Sequence, residues 1–418
     1  MELNSDHQDL LSGLHGEAAA MAMRILVAMA RAEGVREFIP VSSVHVDGCL
    51  MHGATGCYYA EKLLAGGGVV RVPTSLNVGA MDLVDPEKVL LKGEMRDLAI
   101  RQMNADVAMG CVPSWTCAPY QAGFRPGLGE QVAWAESNAV VFANSVLGAR
   151  TNRYGDFLDI CCALTGFAPK SGLHLAENRL ATIVVDTSAI PSQLKERDDF
   201  YPVLGAWLGN QVGSDIAVID GLPGDLDEDR LKALGAAAAS SGAVGLFHVV
   251  GRTPEAATLE QALGGKPPLQ TIRLSAQMIF EQQRAMSTVS GDQLDVVALG
   301  SPHFSLEEFQ SLLRYLGDRK SSVPFLVCTG RHVLEKLEEN EWLPVIRKAG
   351  IELILDTCVV VTPVIRATGG VLMTNSGKFA HYSTSLIGHE VVFASLEECV
   401  ESAVAGRVVR DQAAWGIQ

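Results

Sequence analysis

A chain of 418 residues exceeds what one core ordinarily organises, so two or three domains are expected. Its 48% hydrophobic content and 41 glycines suit a turn-rich α/β protein, and its net charge of -15 speaks against nucleic acid as a partner. The opening shows no secretory leader and no apolar run reaches membrane-span length, so we expect a soluble, cytoplasmic chain whose nine cysteines, none in a CxxC pair, stay reduced.

Residues 5–33 read as one amphipathic helix, with Leu10, Leu11, Leu14, Ala18, Met21 and Ile25 at helical spacing. A strand over 38–41 runs into a polar loop, 43–56, that holds His45, Asp47, Gly48, Cys49, Leu50 and His52. A helix over 58–64, a strand over 68–73 and the loop Thr74-Ser75-Leu76-Asn77-Val78-Gly79 repeat the order. Loops at the carboxyl ends of strands are where α/β sheets hold ligands. A helix over 86–103 and a strand over 105–109 lead to Gly110-Cys111-Val112-Pro113-Ser114-Trp115-Thr116-Cys117-Ala118-Pro119-Tyr120. Next come an apolar run over 132–135, the polar Glu136-Ser137-Asn138, and a second apolar run over 140–143. A helix over 156–164 carries Cys161 and Cys162, whose side chains point about a hundred degrees apart and read as packing residues.

After a strand over 181–185, a second unit is expected to begin near Tyr201. It has strands over 216–219 and 244–250, with His248 as a core histidine, and helices over 227–241 and 275–287. A strand over 296–300 opens into the loop Ser301-Pro302-His303-Phe304-Ser305, and Glu307 and Glu308 start the following helix, where its dipole favours acids. A strand over 325–328 precedes a helix from Arg331. A strand over 353–361 carries the polar break Asp356-Thr357-Cys358, residues 373–382 form the last polar loop, and a helix over 396–405 closes the chain.

Four features from distant parts of the chain therefore invite chemistry: Cys117, the Ser301-Pro302-His303 loop, the Asp356-Thr357-Cys358 break and Lys378. Taken alone, Lys378 reads as an exposed loop lysine. The thiols show no compact iron–sulfur spacing.

These motifs give the chain a resemblance to a known family. Arg71 to Asn77, Thr116 to Tyr120, Val141 to Asn152, Gly300 to His303, Asp356 to Cys358 and Met373 to Tyr382, in this order, resemble the large catalytic part of aconitase X, the divergent branch of the aconitase superfamily. The resemblance implies an aconitase-like α/β fold, with parallel-rich sheets flanked by helices in two or three domains around a cleft. We divide the chain on that basis into 1–200, 201–290 and 291–418. It also implies a dehydratase with an iron–sulfur cluster on three cysteines. Two of those positions fall on Cys117 and Cys358; the third, in the family's Gly-Cys-Pro-His motif, is Ser301 here. An oxygen donor is harder than a thiolate, which favours a smaller cluster, such as 2Fe-2S, or mononuclear iron; His303 or Cys328 could compensate, though neither holds a family ligand position. Family substrate contacts fall on Gly48, Cys49, Leu50, Asn77, Val78, Glu136, Ser137 and Lys378, the last three also as catalytic groups.

One branch of the family dehydrates cis-3-hydroxy-L-proline and the other, archaeal, dehydrates mevalonate 5-phosphate. The second usually has Gly-Val-Ser-Tyr where this chain has Gly48-Cys49-Leu50-Met51, and Asp47 suits a ring ammonium better than a phosphate. Hydroxyproline is therefore the expected substrate and mevalonate 5-phosphate the alternative. The implied chemistry removes the Cα proton and the 3-hydroxyl, and the enamine formed becomes Δ1-pyrroline-2-carboxylate. The family's small swivelling domain, which brings a further serine, is expected on a separate small subunit. A non-enzymatic iron or redox sensor is the reading from another class; the dense polar loops speak against it.

Overall fold

The structure, a computed structural model, describes residues 2–51, 53–366, 369–411 and Trp415; His52 of the first polar loop lies outside the described residues. The chain forms two compact units, Met1–Arg179 and Leu180–Gln418.

The first unit opens with two helices, Ser5–Ser12 and Glu17–Ala32, where one was expected. Gly13 and Gly16 explain the break: both take positive φ, 84° and 95°, a conformation that costs glycine little and ends a helix. The second helix buries Ala18, Ala19, Ala20, Ala22, Met23 and Leu26. The strands of this unit are β1 (Phe38–Pro40), β2 (Val44–Val46), β3 (Thr74–Leu76), β4 (Ala133–Trp134) and β5 (Phe167–Pro169). β1 and β5 form an antiparallel pair, and β3-β2-β4 form a parallel sheet.

Two expected strands in this unit are absent. Residues 105–109 belong to the helix Gly93–Ala108 and its cap Met109. Leu98, Gln102, Met103, Ala105 and Asp106 are buried at helical spacing, and a short apolar run cannot distinguish buried helix from strand. Residues 68–73 are tied to loops, through Val70 N to Met109 O and Arg71 N to Ala163 O, and ladder pairing starts only at Val44 opposite Thr74. The apolar run 140–143 is likewise helical: Ser137–Phe142 is an α-helix that passes into a π-turn over Ala143–Leu147.

The second unit is built on two parallel sheets. β6 (Ile183–Asp186), β7 (Ala217–Asp220), β8 (Phe247–Val249) and β9 (Gln270–Arg273) lie in the order β8-β7-β6-β9. β10 (Val296–Phe304), β11 (Phe325–Thr329), β12 (Ile351–Ile354), β13 (Val371–Thr374) and β14 (Glu390–Phe393) lie in the order β12-β11-β10-β13-β14. All their pairings are parallel, and flanking helices bury Phe309, Leu312, Leu337, Ile346 and Val400 against the five-stranded sheet. Each such side chain contributes about 1.5–3 kcal/mol of burial. The helices Phe200–Val212 and Glu228–Ser241 meet through small residues: a Cβ at Gly205 would strike the Leu234 carbonyl.

Two predicted boundaries shift here. The expected strand over 353–361 ends at Ile354, because Asp356 turns the chain with φ 60°. The expected loop over 301–305 is largely a distorted continuation of β10, which ends at Phe304.

Candidate active site

In the first unit the predicted contacts gather at the carboxyl ends of β2, β3 and β4. β2 ends at Val46, and the turn Asp47–Leu50 is held from behind by Asp159, whose Oδ2 accepts from Asp47 N at 2.6 Å and Gly48 N at 2.9 Å. Burial pushes the Asp159 carboxyl up to about 6, against the pull of those N–H donors. Gln102 Nε2 donates to the carbonyls of Gly48 (2.8 Å) and Leu50 (3.1 Å). A Cβ at Gly48 would sit 3.2 Å from Phe157 N, so the turn closes tightly there.

Asn77 follows β3 and donates from Nδ2 to Asp47 Oδ1. The buried Cys49 thiol donates to the carbonyls of Val46 (3.4 Å), Asn77 (3.3 Å) and Val78 (3.7 Å), and burial raises it well above an ordinary thiol. Asp47, Gly48, Cys49, Leu50, Asn77 and Val78 thus form one group. Cys49 acts in it as a neutral hydrogen-bond donor rather than a nucleophile.

The Cys117 segment runs beside the same strand end. Ser114 Oγ meets both N and O of Leu76 at 2.9 Å, and Thr116 N donates to Leu76 O at 3.2 Å. Cys117 is buried, and its carbonyl accepts from Asn138 Nδ2 at 3.0 Å. Asn138 lies on the helix capped by Glu136, whose Oε2 accepts from Ala139 N at 2.6 Å; Ser137 Oγ donates to its Oε1 at 3.4 Å.

Sequence reasoning quoted His45 without giving it a role. The structure buries it fully on β2, with Nδ1 2.8 Å from Ser75 Oγ. Burial lowers its pKa to about 4, against the opposing charge of Glu136, so the ring is neutral near pH 7. The alternation of His45 with two buried valines, just before Asp47, was the available signal. A surface cavity of about 430 Å³ in the same unit, lined by Leu26, Met29, Asn152, Tyr154, Leu158 and Ser171, holds none of the predicted residues.

The second unit brings Ser301, Cys358 and Lys378 together. Cys358 Sγ lies 3.9 Å from Ser301 Oγ and is hydrogen-bonded to the thiol of Cys328. Burial pushes Cys358 up, but the Cys328 hydrogen bond, the Val360 N–H, the Lys378 charge and the Ser301 hydroxyl together hold it below an ordinary thiol. Lys378, half-buried on the helix Gly377–Tyr382, supplies the nearby cation. Ser376 caps that helix and also donates to Ser301 O. His303 is fully buried, its pKa lowered to about 3 chiefly by burial, and its Nε2 lies 3.2 Å from Thr357 O.

Three ion pairs, made by two cations, frame this cluster. Arg331 forks onto Asp356 at 2.7 and 2.6 Å, fixing the turn before Cys358. Lys232, 1% exposed, is paired with Asp229 at 2.7 Å and Glu308 at 2.5 Å and lies 3.3 Å from His303 O. Nothing in its sequence context distinguished that lysine from a surface residue. Among the described residues of this unit, no three His, Cys, Asp or Glu side chains form a metal-sized group; two thiols and a serine hydroxyl are what gathers.

In each unit polar loops and buried thiols lie at the carboxyl ends of parallel strands, the place where α/β proteins hold ligands. Comparison with known proteins narrows that class. The family models for the first, second and third domains of aconitase X match residues 1–177, 181–284 and 294–405, and the chain belongs to the aconitase X family. It is 41% identical to a cis-3-hydroxy-L-proline dehydratase of Pseudomonas aeruginosa over 99% of this chain and 72% of that relative. A cis-3-hydroxy-L-proline dehydratase of Hypocrea jecorina is 40% identical over 97% of this chain and 69% of its own length. The phosphomevalonate dehydratase large subunit of Methanothermobacter thermautotrophicus is 36% identical over 94% and 96%. The crystal structure of Thermococcus kodakaraensis aconitase X in its holo-form matches with a TM-score of 0.86 and 31% identity, over 96% of this chain and all of that one. These relatives are dehydratases by name, that is, carbon–oxygen lyases. The expected fold class, α/β with parallel sheets flanked by helices, is the observed one. Among the described residues no helix is long and apolar enough to cross a membrane.

Proposed function

We propose that the chain is the large, catalytic part of a dehydratase that converts cis-3-hydroxy-L-proline to Δ1-pyrroline-2-carboxylate. The observation that carries this reading is the 41% identity, over 99% of the chain, to a protein of that activity. The placement of Asp47 supports it: a carboxylate at the end of β2, oriented by Asn77, complements a ring ammonium and would repel a phosphate. Lys378 takes the substrate carboxylate, while Gly48, Cys49, Leu50, Asn77 and Val78 shape the pocket. Glu136 and Ser137 handle the proton leaving Cα, with Ser137 Oγ directed at Glu136 Oε1. Loss of that proton and of the 3-hydroxyl releases water and leaves an enamine that tautomerises to the cyclic imine.

An iron-containing cofactor fits the residues present. Cys358 is biased toward its thiolate by its neighbours, and a thiolate is the form that binds iron. Cys117 and Cys358 are the proposed holders, with Ser301 at the family's third ligand position; were its oxygen the third donor, a small iron–sulfur cluster, such as 2Fe-2S, or a single iron would be favoured. When bound, such a cofactor would supply Lewis acidity toward the departing hydroxyl. A small swivelling-domain partner is part of the proposal, because the phosphomevalonate relatives are named as large subunits. The working compartment is the cytoplasm, where the thiols stay reduced.

The test is to co-express the chain with a small-subunit candidate, purify anaerobically and assay both substrates. Hydroxyproline turnover is expected, reduced about ten- to a hundred-fold in kcat/KM by Asp47→Asn, the worth of one charge-assisted hydrogen bond of roughly 1.5–3 kcal/mol. Turnover of mevalonate 5-phosphate with none of hydroxyproline would reverse the substrate assignment.

A further inference from the structure

The strand that carries Ser301 is distorted around a single residue. β10 and β11 pair in regular parallel register up to Leu299 opposite Val327, and pairing resumes at Phe304 opposite Thr329. Residues 300–303 on one strand therefore face Cys328 alone on the other. Such a bulge re-aims side chains beside a site. Gly300 makes it feasible: its φ is 91°, and a Cβ there would run into the Cys328 carbonyl. Thr329 Oγ1 re-anchors the strand on Phe304 O at 2.7 Å. The Cys328 side chain, fully buried, is hydrogen-bonded to Cys358, which lies 3.9 Å from Ser301 Oγ.

From this geometry we infer that Cys328 is an iron ligand, supplying beside Cys358 the thiolate that the Ser301 position does not. Soft iron centres favour sulfur over a serine oxygen, and the thiol of β11 opposite the bulge is hydrogen-bonded to Cys358. Ser301 then becomes a hydrogen-bonding neighbour of the ligand sulfurs, a role that orients and tunes rather than binds. Each thiol that binds releases one proton. The inference rests on the proposal that the chain holds iron, and the experiment separates the two.

The full chain is prepared metal-free and titrated anaerobically with Co2+, whose thiolate charge-transfer absorption grows with the number of sulfur donors. Parallel samples are reconstituted with ferrous iron and sulfide and analysed for iron per chain. Wild type is compared with Cys328→Ser, Cys328→Ala, Ser301→Ala and Cys358→Ala, with circular dichroism reporting the fold. The expected result is that Cys328→Ser and Cys358→Ala each lose one thiolate's share of the Co2+ band, while Ser301→Ala keeps the full band and its iron. Cys328→Ala should bind iron more weakly by more than the roughly 10–100-fold that losing an outer-shell partner costs. An undiminished Co2+ band in Cys328→Ser, the near-isosteric variant least prone to misfold, overturns the assignment and returns the ligand role to Ser301. Wild type that binds neither metal, or binding untouched by Cys358→Ala, instead removes the iron reading itself.

Discussion

The two units use the same backbone device to present their polar residues, with opposite charge. In each, a parallel strand ends, a side chain caps a six-residue helix, the helix passes into a five-residue π-turn, and a glycine in the left-handed region stops it. In the first unit the parts are β4, Glu136, Ser137–Phe142, Ala143–Leu147 and Gly148 with φ 70°. In the second they are β13, Ser376, Gly377–Tyr382, Ser383–Ile387 and Gly388 with φ 69°. π-turns are rare and concentrate at functional sites. The first is locked from outside: Asn144 exchanges bonds with Thr151 and takes two more from Arg179, at 2.9 and 3.0 Å. The second lacks such a clamp among the described residues, and Leu386 on it is 59% exposed. One copy carries a carboxylate at the start of its helix and the other a lysine. Under the proposed reading the carboxylate would handle a proton and the lysine would hold the substrate.

The largest expected effect tests whether both units serve one cofactor. Cys117→Ala and Cys358→Ala should each abolish bound iron and lower turnover roughly a thousandfold or more, the several kcal/mol a Lewis acid contributes. Iron analysis and steady-state rates on the anaerobic two-chain complex check this. Full iron in Cys117→Ala would confine the metal to the second unit and leave the first with substrate binding alone.

A smaller effect concerns the fixed side of the comparison. His45 titrates at about 4 in the folded chain, below the ordinary 6.5, because burial disfavours its charged form. The unfolded chain then binds the extra proton first. The stability held in the neutral ring is complete above pH 6.5 and is lost as pH falls toward 4, about 3 kcal/mol in all. The buried Asp159 works in the opposite direction, since its folded value of about 6 lies above the ordinary one, so the test is a difference. His45→Gln should flatten the fall of Tm between pH 6.5 and 4 relative to wild type. Parallel curves would show that the ring is not held neutral.

How far the site was readable from sequence differs in the same way between the two regions. Asp47, Asn77, Glu136, Cys117 and Lys378 stand in dense polar stretches between apolar runs, and that contrast is visible in the bare sequence. Cys328 was readable only as a thiol that could compensate for Ser301 away from any family ligand position, and Lys232 was not readable at all. The first ends the unbroken apolar run Phe325-Leu326-Val327-Cys328 within β11, where a thiol looks like core, and only the bulge of the neighbouring strand reveals its position. The second sits among charged residues at the start of a helix, and its burial depends on Glu308, 76 residues away. The π-turns escaped because Val140 to Ala143 satisfies helix and strand patterns alike, and the fifth-residue register is set by the glycine stop and by Thr151 rather than by the run itself. The early helix break was legible in Gly13 and Gly16, but the apolar spacing across them concealed it.

The smallest expected effect sharpens the comparison of the caps. Ser376 Oγ accepts from Phe379 N at 3.0 Å and donates to Ser301 O, so one hydroxyl joins the start of the lysine-bearing helix to the bulge of β10. Glu136 caps its helix with a carboxylate and, through Ser137, keeps a second bond at the same end. Ser376→Ala removes the cap and the tie together and should cost about 1 kcal/mol of stability. Glu136→Gln keeps an oxygen acceptor for Ala139 N, so its stability should change by only a few tenths of a kcal/mol, while turnover falls because the proton acceptor is gone. Denaturant titration beside kcat and KM separates the two outcomes. Ser376→Ala should also raise KM, because Lys378 rides on the helix it caps; Glu136→Gln should lower kcat with KM little changed. The same pattern in both variants would mean that the two caps do equivalent work, and that the charge difference between the units has no part in the division of labour.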